Sequence, residues 1–321
     1  MGAVEGGSRP LMGLVLLAAL ASSIPGSPAF AAESAFSAYG LGTSAFTAGV
    51  TPPPGAYVSG GLAVIRGDID GALTFGRIEI DVAMEIKKFV SGSANLLYVP
   101  ETTFLGGRAG LSMTVPLGFI DIQAQATGPL GNTVELATNG WGLGDMVPRL
   151  QLGFDNGDFH HTFYVQGLLP TGRYEEGFNP NIGLNRAAID FGWAFTYIEP
   201  TSKIQLNGTF GLTTAFENEA TDYDSGDDFH VEWAIGKDFG NGFLLGVVGY
   251  NYRQLSDDTG AGVPAILEGF KGEVDAVGPG LTYTTQIGKV PFILNARHYE
   301  EFNAKKRFDN SVTIITGTFV F

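Results

Sequence analysis

Apolar and polar residues alternate one for one along several stretches of this chain. In 203–216 one set reads Ile204, Leu206, Gly208, Phe210, Leu212, Thr214 and Phe216, and the other Lys203, Gln205, Asn207, Thr209, Gly211 and Thr213. In 228–239, Phe229, Val231, Trp233 and Ile235 oppose Asp228, His230, Glu232 and Ala234. The segment 188–198 sets Ile189, Phe191, Trp193, Phe195 and Tyr197 against Asp190, Gly192 and Thr196, and 160–169 sets His161, Phe163, Val165 and Leu169 against His160, Thr162, Tyr164 and Gln166. Successive side chains of a strand point to opposite faces, so a period of two predicts strands with one apolar and one polar face.

Soluble β-sandwiches alternate as well, and the connections separate the two cases. Asp155–Asp158, Glu199–Ser202, Phe239–Gly242 and Ile287–Val290 read as tight turns. Between them lie long polar loops at about 127–140, 170–183, 217–227, 255–270 and 299–310. Short turns on one side and long loops on the other are the asymmetry of an outer-membrane barrel, with the C-terminus on the short-turn, periplasmic side. Counted back from Phe321, strands are expected near 310–321, 290–298, 271–286, 242–254, 228–239, 203–216, 186–198, 158–169, 141–154, 107–126, 86–100 and 56–66. The expected fold is therefore all-β, a transmembrane antiparallel β-barrel of about 12 strands. Two short strands within 67–100 would make 14.

The two chain ends fit export to such a membrane. After Arg9, the run Leu11–Ile24 is almost continuously apolar, and Ala29-Phe30-Ala31 forms an A-x-A cleavage site. The run falls short of the roughly 20 residues a spanning helix needs, so residues 1–31 are expected to be a cleaved signal peptide. Past residue 32, charges, Gly, Asp or Asn interrupt every apolar stretch. A membrane protein without spanning helices must cross as a closed barrel, because lipid cannot satisfy an open strand edge. Residues 32–55 include Pro52-Pro53-Pro54 and cannot supply a full ladder, so they are expected to form a periplasmic or lumen-entering extension ahead of a barrel over 56–321. The segment from Ser311 ends on Phe321, with Phe319 and Ile315 on the same face, which resembles the signal read by the bacterial barrel-assembly machinery.

Composition narrows the function classes. The chain carries 47 Gly, 24 Phe and 11 Tyr with 16% charged residues, a balance that favours turns and pleated surfaces. Without Cys it has no disulfide framework, and barrel closure must stabilise it instead. A net charge of −15 argues against nucleic acid as a partner. The expected partners are outer-membrane lipid and lipopolysaccharide, and no motif calls for a cofactor.

The faces assigned inward collect Asp145, Arg149, His160, Gln166, Asp190, Lys203, Gln205, Asn207, Asp228, His230, Glu232, Asn251, Arg253, Asn295 and Arg297. Two compatible readings apply: a structural network filling a small lumen, or a constriction lining a route. With a four-residue turn at 239–242, Arg253 falls level with Asp228 across the hairpin and should pair with it. Glu217, Glu219, Asp222, Asp224, Asp227 and Asp228 crowd one loop, but their spacing matches no defined calcium loop and fits a solvated acidic loop better. Catalysis finds little footing. Ser225 near His230 sits in a Gly/Asp turn, no G-x-S-x-G occurs, and His161 faces lipid, so no enzymatic activity is expected. Trp193, Trp233, Tyr197, Tyr250, Tyr252 and Phe239 suit the aromatic girdles at the two membrane interfaces.

A family resemblance rests on motifs in order along the chain. They are Pro52-Pro53-Pro54-Gly55-Ala56-Tyr57, Gly142-Leu143-Gly144-Asp145, Leu169-Pro170-Thr171-Gly172-Arg173-Tyr174 and Asn179-Pro180-Asn181-Ile182-Gly183-Leu184-Asn185. Then come 221–230, with Tyr223, Ser225-Gly226-Asp227, Phe229 and His230, and Gly249-Tyr250-Asn251-Tyr252-Arg253-Gln254-Leu255-Ser256-Asp257-Asp258. Over about 50–321 the chain resembles the outer-membrane family named for the meta-pathway of phenol degradation, which includes a sphingosine-responsive outer-membrane protein. It departs after Asn185, where Arg186-Ala187-Ala188 lacks the family's aromatic residue. The resemblance implies a channel or transporter for passive uptake of small hydrophobic or aromatic compounds. A closed barrel with a structural, sensing or adhesive role is the alternative.

Overall fold

In the computed structural model of the chain, residues 37–75, 78–176, 180–261, 263 and 271–321 are described. The expected signal peptide, its cleavage site and residues 32–36 lie outside the described residues. The strands are β1 (Gly55–Phe75), β2 (Ile78–Val99), β3 (Thr103–Phe104), β4 (Gly107–Thr127), β5 (Thr133–Leu143), β6 (Val147–Asn156) and β7 (Phe159–Leu168). They continue as β8 (Ala188–Ile198), β9 (Ile204–Ala215), β10 (Asp228–Asp238), β11 (Phe243–Gln254), β12 (Glu273–Ile287), β13 (Val290–Lys305) and β14 (Asp309–Val320). Each pairs antiparallel with its sequence neighbour around the wall, and β14 pairs with β1 from Tyr57↔Val320 to Asp68↔Asp309. The wall closes as a barrel of 12 strands, with β3 and β5 as extras.

Two departures from the sequence reading share one cause. The barrel has the expected 12 strands, and among its described residues the stretch 67–100 adds no further pair, because β1 and β2 continue upward as one tall hairpin. Residues 133–140, expected as loop, and 141–143, expected to begin the strand 141–154, form β5 on the upper half of β4, whereas β6 takes the lower half. At the row Ile65–Phe89–Ile120 the polarity of the wall inverts. Below it β4 turns Leu111, Met113, Leu117 and Phe119 outward, where they are exposed to lipid, and Ser112 and Thr114 inward. Above it Asp121, Gln123 and Gln125 take the outer face and Ile120, Ile122 and Ala124 the inner one. Strands β1 and β2 change over at the same level: Arg66, Asp68 and Asp70 face outward on β1, and Glu85 does on β2, where Lys87 is the extra residue of a bulge. A strand leaving lipid for water exchanges the face it must hide, so its alternation slips phase and reads as a loop.

The β10–β11 turn gives a further correction. Asp238 pairs with Leu244, and the Phe239 N–H donates to the Phe243 carbonyl, so the loop is one residue longer than expected. A shift of one residue flips every side chain of a strand. Asp228 is therefore level with Gln254, His230 with Tyr252 and Glu232 with Tyr250. The residues expected inside, Asn251 and Arg253, face outward.

Candidate functional site in the barrel lumen

Successive register rows carry polar side chains across the inner wall. One runs Arg149–Gln166–Asp190–Thr213–Asp228–Gln254, and the next Gln151–Tyr164–Gly192–Gly211–His230–Tyr252. The glycines of the second row make room for the rings beside them. A Cβ at Gly211 would lie 2.1 Å from His230 Nε2, and one at Gly192 2.2 Å from Tyr164 Cζ. His230 thus lies flat and reaches Asp190, Nε2 to Oδ1 at 3.0 Å, while the Thr213 hydroxyl donates to the same oxygen at 3.1 Å. The Arg149 guanidinium sits 3.8 Å from the Tyr164 ring centre. Buried charge beside partners in a low-dielectric wall is held firmly, because an unpaired group there is costly.

Residues 37–54 fill one side of this lumen. The Ser37 hydroxyl donates to Asp228 at 3.3 Å, and Tyr39 stacks on the His230 ring with 3.6 Å between centres. The Ser44 N–H donates to Glu232 at 2.9 Å, and its hydroxyl pairs with that of Thr209 at 2.7 Å. Lower down, the Thr47 N–H donates to Asn207 Oδ1, the Gly49 N–H to the Thr196 hydroxyl, and the Thr162 hydroxyl to the Gly49 carbonyl, all within 3.0 Å. Arg297 donates to the carbonyls of Gly42 and Thr43, and Arg108 to that of Thr51. Leu41, Ala45 and Phe46 pack on an apolar patch of β10–β14 built from Ala234, Leu244, Val248, Tyr250, Tyr299 and Ile314. The segment is a plug docked against the β6–β14 wall, with Arg108 of β4 reaching its end at Thr51.

The opposite wall stays accessible. Inner residues of β8–β10 such as Thr196, Thr209, His230, Glu232 and Ala234 are at most 2% exposed. Across from them Ser59, Gly61, Ala63, Ser91, Ser93, Asn95, Ser112 and Thr114 are only half-buried. These small, mostly hydroxyl-bearing side chains form the part of the inner wall, on β1, β2 and β4, that the plug leaves partly uncovered.

The sequence-predicted residues divide accordingly. Arg149, Gln166, Asp190, Gln205, Asn207, Asp228, His230, Glu232, Asn295 and Arg297 face the lumen. His160 also faces it near the periplasmic end, 2.6 Å from Asp155, which in turn pairs with Arg108. Lys203 is exposed in a periplasmic turn at φ 58°, outside the lumen. Arg253 is on the outer wall above the lipid band, bound to Asp275 at 2.6 Å, and Asn251 donates to the same carboxylate. From β11 it is the Tyr252 hydroxyl that reaches Asp228, at 2.5 Å. Tyr250 and Tyr252, expected in a girdle, are buried in the lumen because the same one-residue shift turned β11 over. Asp145 lies at the break between β5 and β6. It accepts from the Gly172 N–H at 2.8 Å and the Leu184 N–H at 2.6 Å, tying both ends of the β7–β8 loop.

Among the described residues no three His, Cys, Asp or Glu side chains converge as a metal site. In the acidic loop, hydrogen bonding to the Asp222 carboxyl pushes Glu217 above the usual carboxylate range. Sequence reasoning missed the inner-wall groups Tyr250, Tyr252, Tyr299, Glu301 and Arg307. For Tyr250 and Tyr252 the period of two was visible but not which phase faced in, whereas Tyr299, Glu301 and Arg307 fell in a stretch expected as loop, where β13 in fact continues to Lys305.

An open cleft of about 440 Å³ lies where the second edge of β5 has no strand partner, lined by Trp141, Gly142, Leu143, Thr171, Gly172 and Arg173. Arg173 bridges that edge through its N–H to the Leu143 carbonyl and its guanidinium to the Trp141 carbonyl.

Comparison with known proteins follows the same lines. The fold is similar to the COG4313 outer membrane channel from Pseudomonas putida F1, at TM-score 0.61 and 15% identity, covering 84% of this chain and 97% of that one. A weaker likeness, TM-score 0.39 at 13% identity, covers 84% of this chain and 90% of the translocator domain of the autotransporter NalP from Neisseria meningitidis. A Pseudomonas aeruginosa FadL homologue matches at TM-score 0.35 and 9% identity, covering 83% of this chain and 88% of that one. No curated protein matches by sequence. The model of the family described as "Putative MetA-pathway of phenol degradation" matches residues 66–313, and this outer-membrane barrel belongs to that family.

Proposed function

We propose that the chain is a passive conduit for small, uncharged, poorly water-soluble compounds, aromatic ones among them, across the outer membrane. The observation that carries this reading is the division of the inner wall into a side covered by the plug and a partly exposed side on β1, β2 and β4, which we read as the wall of a duct beside the plug. General water-filled pores take 16 or more strands, and a barrel of 12 with a plug packed along one side leaves room only for a narrow passage. Its walls of Ser, Thr, Gly and Ala carry few charges to retain a solute. Membership of a family named for phenol degradation supports the cargo class. The cleft beside β5, rimmed by the exposed Trp141 and Leu143, gives apolar compounds an approach from the lipid.

A second reading has an observation of its own. The plug is hydrogen-bonded along most of its length, as in a barrel that stays shut and serves a structural, sensing or adhesive role. Uptake separates the two. A deletion strain is expected to take up labelled phenol, toluene or a long-chain alkane more slowly than its parent, with the full chain restoring the rate. Equal uptake by both strains across aromatic and long-chain compounds excludes the conduit.

A further inference from the structure

The duct is covered at its extracellular end. Between β13 and β14, Lys306 stays exposed while Arg307 and Phe308 fold inward and are buried. Its Arg307 lies over the Tyr252 ring, 4.6 Å from the ring centre, on the plugged side. One residue on, Phe308 is 2% exposed and packs with Met84, Ile86 and Ile120 on the opposite wall. The base of the tip is fixed where Asn310 donates to Glu301 through its N–H at 2.9 Å and its amide at 2.7 Å. From the other side, Ile182 of the β7–β8 loop packs on the same cluster. Strapped by Arg307 and capped by Phe308, the mouth closes on an apolar surface.

This cluster begins at the level where the wall changes polarity. Below it the duct is lined by hydroxyls that water wets; within it the lining is hydrocarbon. We infer that the contact of Phe308 with Met84, Ile86 and Ile120 is the selectivity seal of the duct, holding back ions and sugars and admitting uncharged apolar solutes. A hydrophobic constriction excludes water and the ions that need it, since a charge entering it loses its hydration without a partner. An apolar solute loses nothing comparable and replaces side-chain contacts with its own. The inference rests on the conduit reading but makes its own measurement possible, because ions and sugars need no cargo assignment.

The test is conductance in planar bilayers and arabinose-driven swelling of proteoliposomes, using the full mature chain. Phe308→Ala opens the seal, and Ile120→Thr makes it wettable by putting a hydroxyl in a side chain shorter by one carbon. Phe308→Leu keeps it apolar and serves as the control. Each variant is first shown to be folded by its faster migration on unboiled gels. Phe308→Ala and Ile120→Thr are expected to raise both readings several-fold, with Phe308→Leu close to the parent. Folded Phe308→Ala or Ile120→Thr protein with parental conductance and swelling overturns the seal. Should Phe308→Ala fail to fold, Ile120→Thr alone decides. Uptake of apolar compounds is scored separately, so the seal can fail while the conduit stands, and the conduit can fail while the seal stands.

Discussion

Replacing Gly49 by Ala tests whether the plug is a docked segment that can be lifted. A Cβ at Gly49 would lie 2.5 Å from the Cα and carbonyl carbon of Phe195 and from the Thr196 nitrogen. All three are backbone atoms of β8, hydrogen-bonded on both sides, so the wall cannot yield and the plug must rise. Rising breaks the Gly49 N–H bond to Thr196 at 3.0 Å and the Thr162 hydroxyl bond to the Gly49 carbonyl at 2.9 Å. A buried polar group left unmade costs about 1–3 kcal/mol, and overpacking without relief costs a similar ~1–3 kcal/mol. Either route destabilises the docked plug by about 3 kcal/mol, which is ~100-fold in its undocked population. The chain has no Cys, so Ala45→Cys supplies a single reporter at a plug position only 7% exposed. Its labelling by a charged maleimide in proteoliposomes follows that population when redocking is fast. Labelling is expected to accelerate ~100-fold when Gly49→Ala is added. Gly60→Ala, where a Cβ meets nothing within 4 Å, should leave it unchanged. Labelling no faster in Gly49→Ala than in the parent would refute the docking geometry.

Three further outcomes are expected. Asp145→Asn weakens the tie to the Gly172 and Leu184 amides by ~1–3 kcal/mol, and trypsin applied to intact cells should then cut after Arg173 faster; unchanged cleavage means the loop is held elsewhere. Val247→Arg, in the middle of the outward apolar run of β11, should lower unfolding stability by about 2–4 kcal/mol in denaturant titrations, while Arg253→Ala on the outer wall above it costs only ~0–1 kcal/mol. Intact-mass measurement of protein from outer membranes should find a mature chain beginning at Ala32 or Glu33, and retention of Met1 would remove the signal-peptide reading.

Much of the barrel was legible from residue order alone. Alternation over 159–168, 188–198, 204–215 and 228–238 located four strands within a residue or two, because lipid outside and polar groups inside impose a period of two. The same constraint identified the faces of Asp190, Gln205, Asn207, His230 and Glu232. Tight turns against long loops marked the end that carries the C-terminus as the expected periplasmic one.

What the sequence could not decide depends on partners distant along the chain. Whether Arg253 or Tyr252 meets Asp228 turned on one extra residue in the 239–243 loop, since both phases of β11 are amphipathic. The upper halves of β1 and β2, and most of β5, were not read as continuous strand because the apolar face changes sides on leaving the lipid, although β4 was expected along nearly its whole length. That change is set by where water begins. The Pro52-Pro53-Pro54 run marked residues 32–55 as something other than wall. Only the packed barrel assigns Tyr39 to His230, Ser44 to Glu232 and Phe46 to the patch on β10–β14. Local period follows from solvent on the two faces of a strand and can be read along the chain; register and the filling of the lumen come from contacts between segments far apart in sequence, and only the closed barrel brings those together.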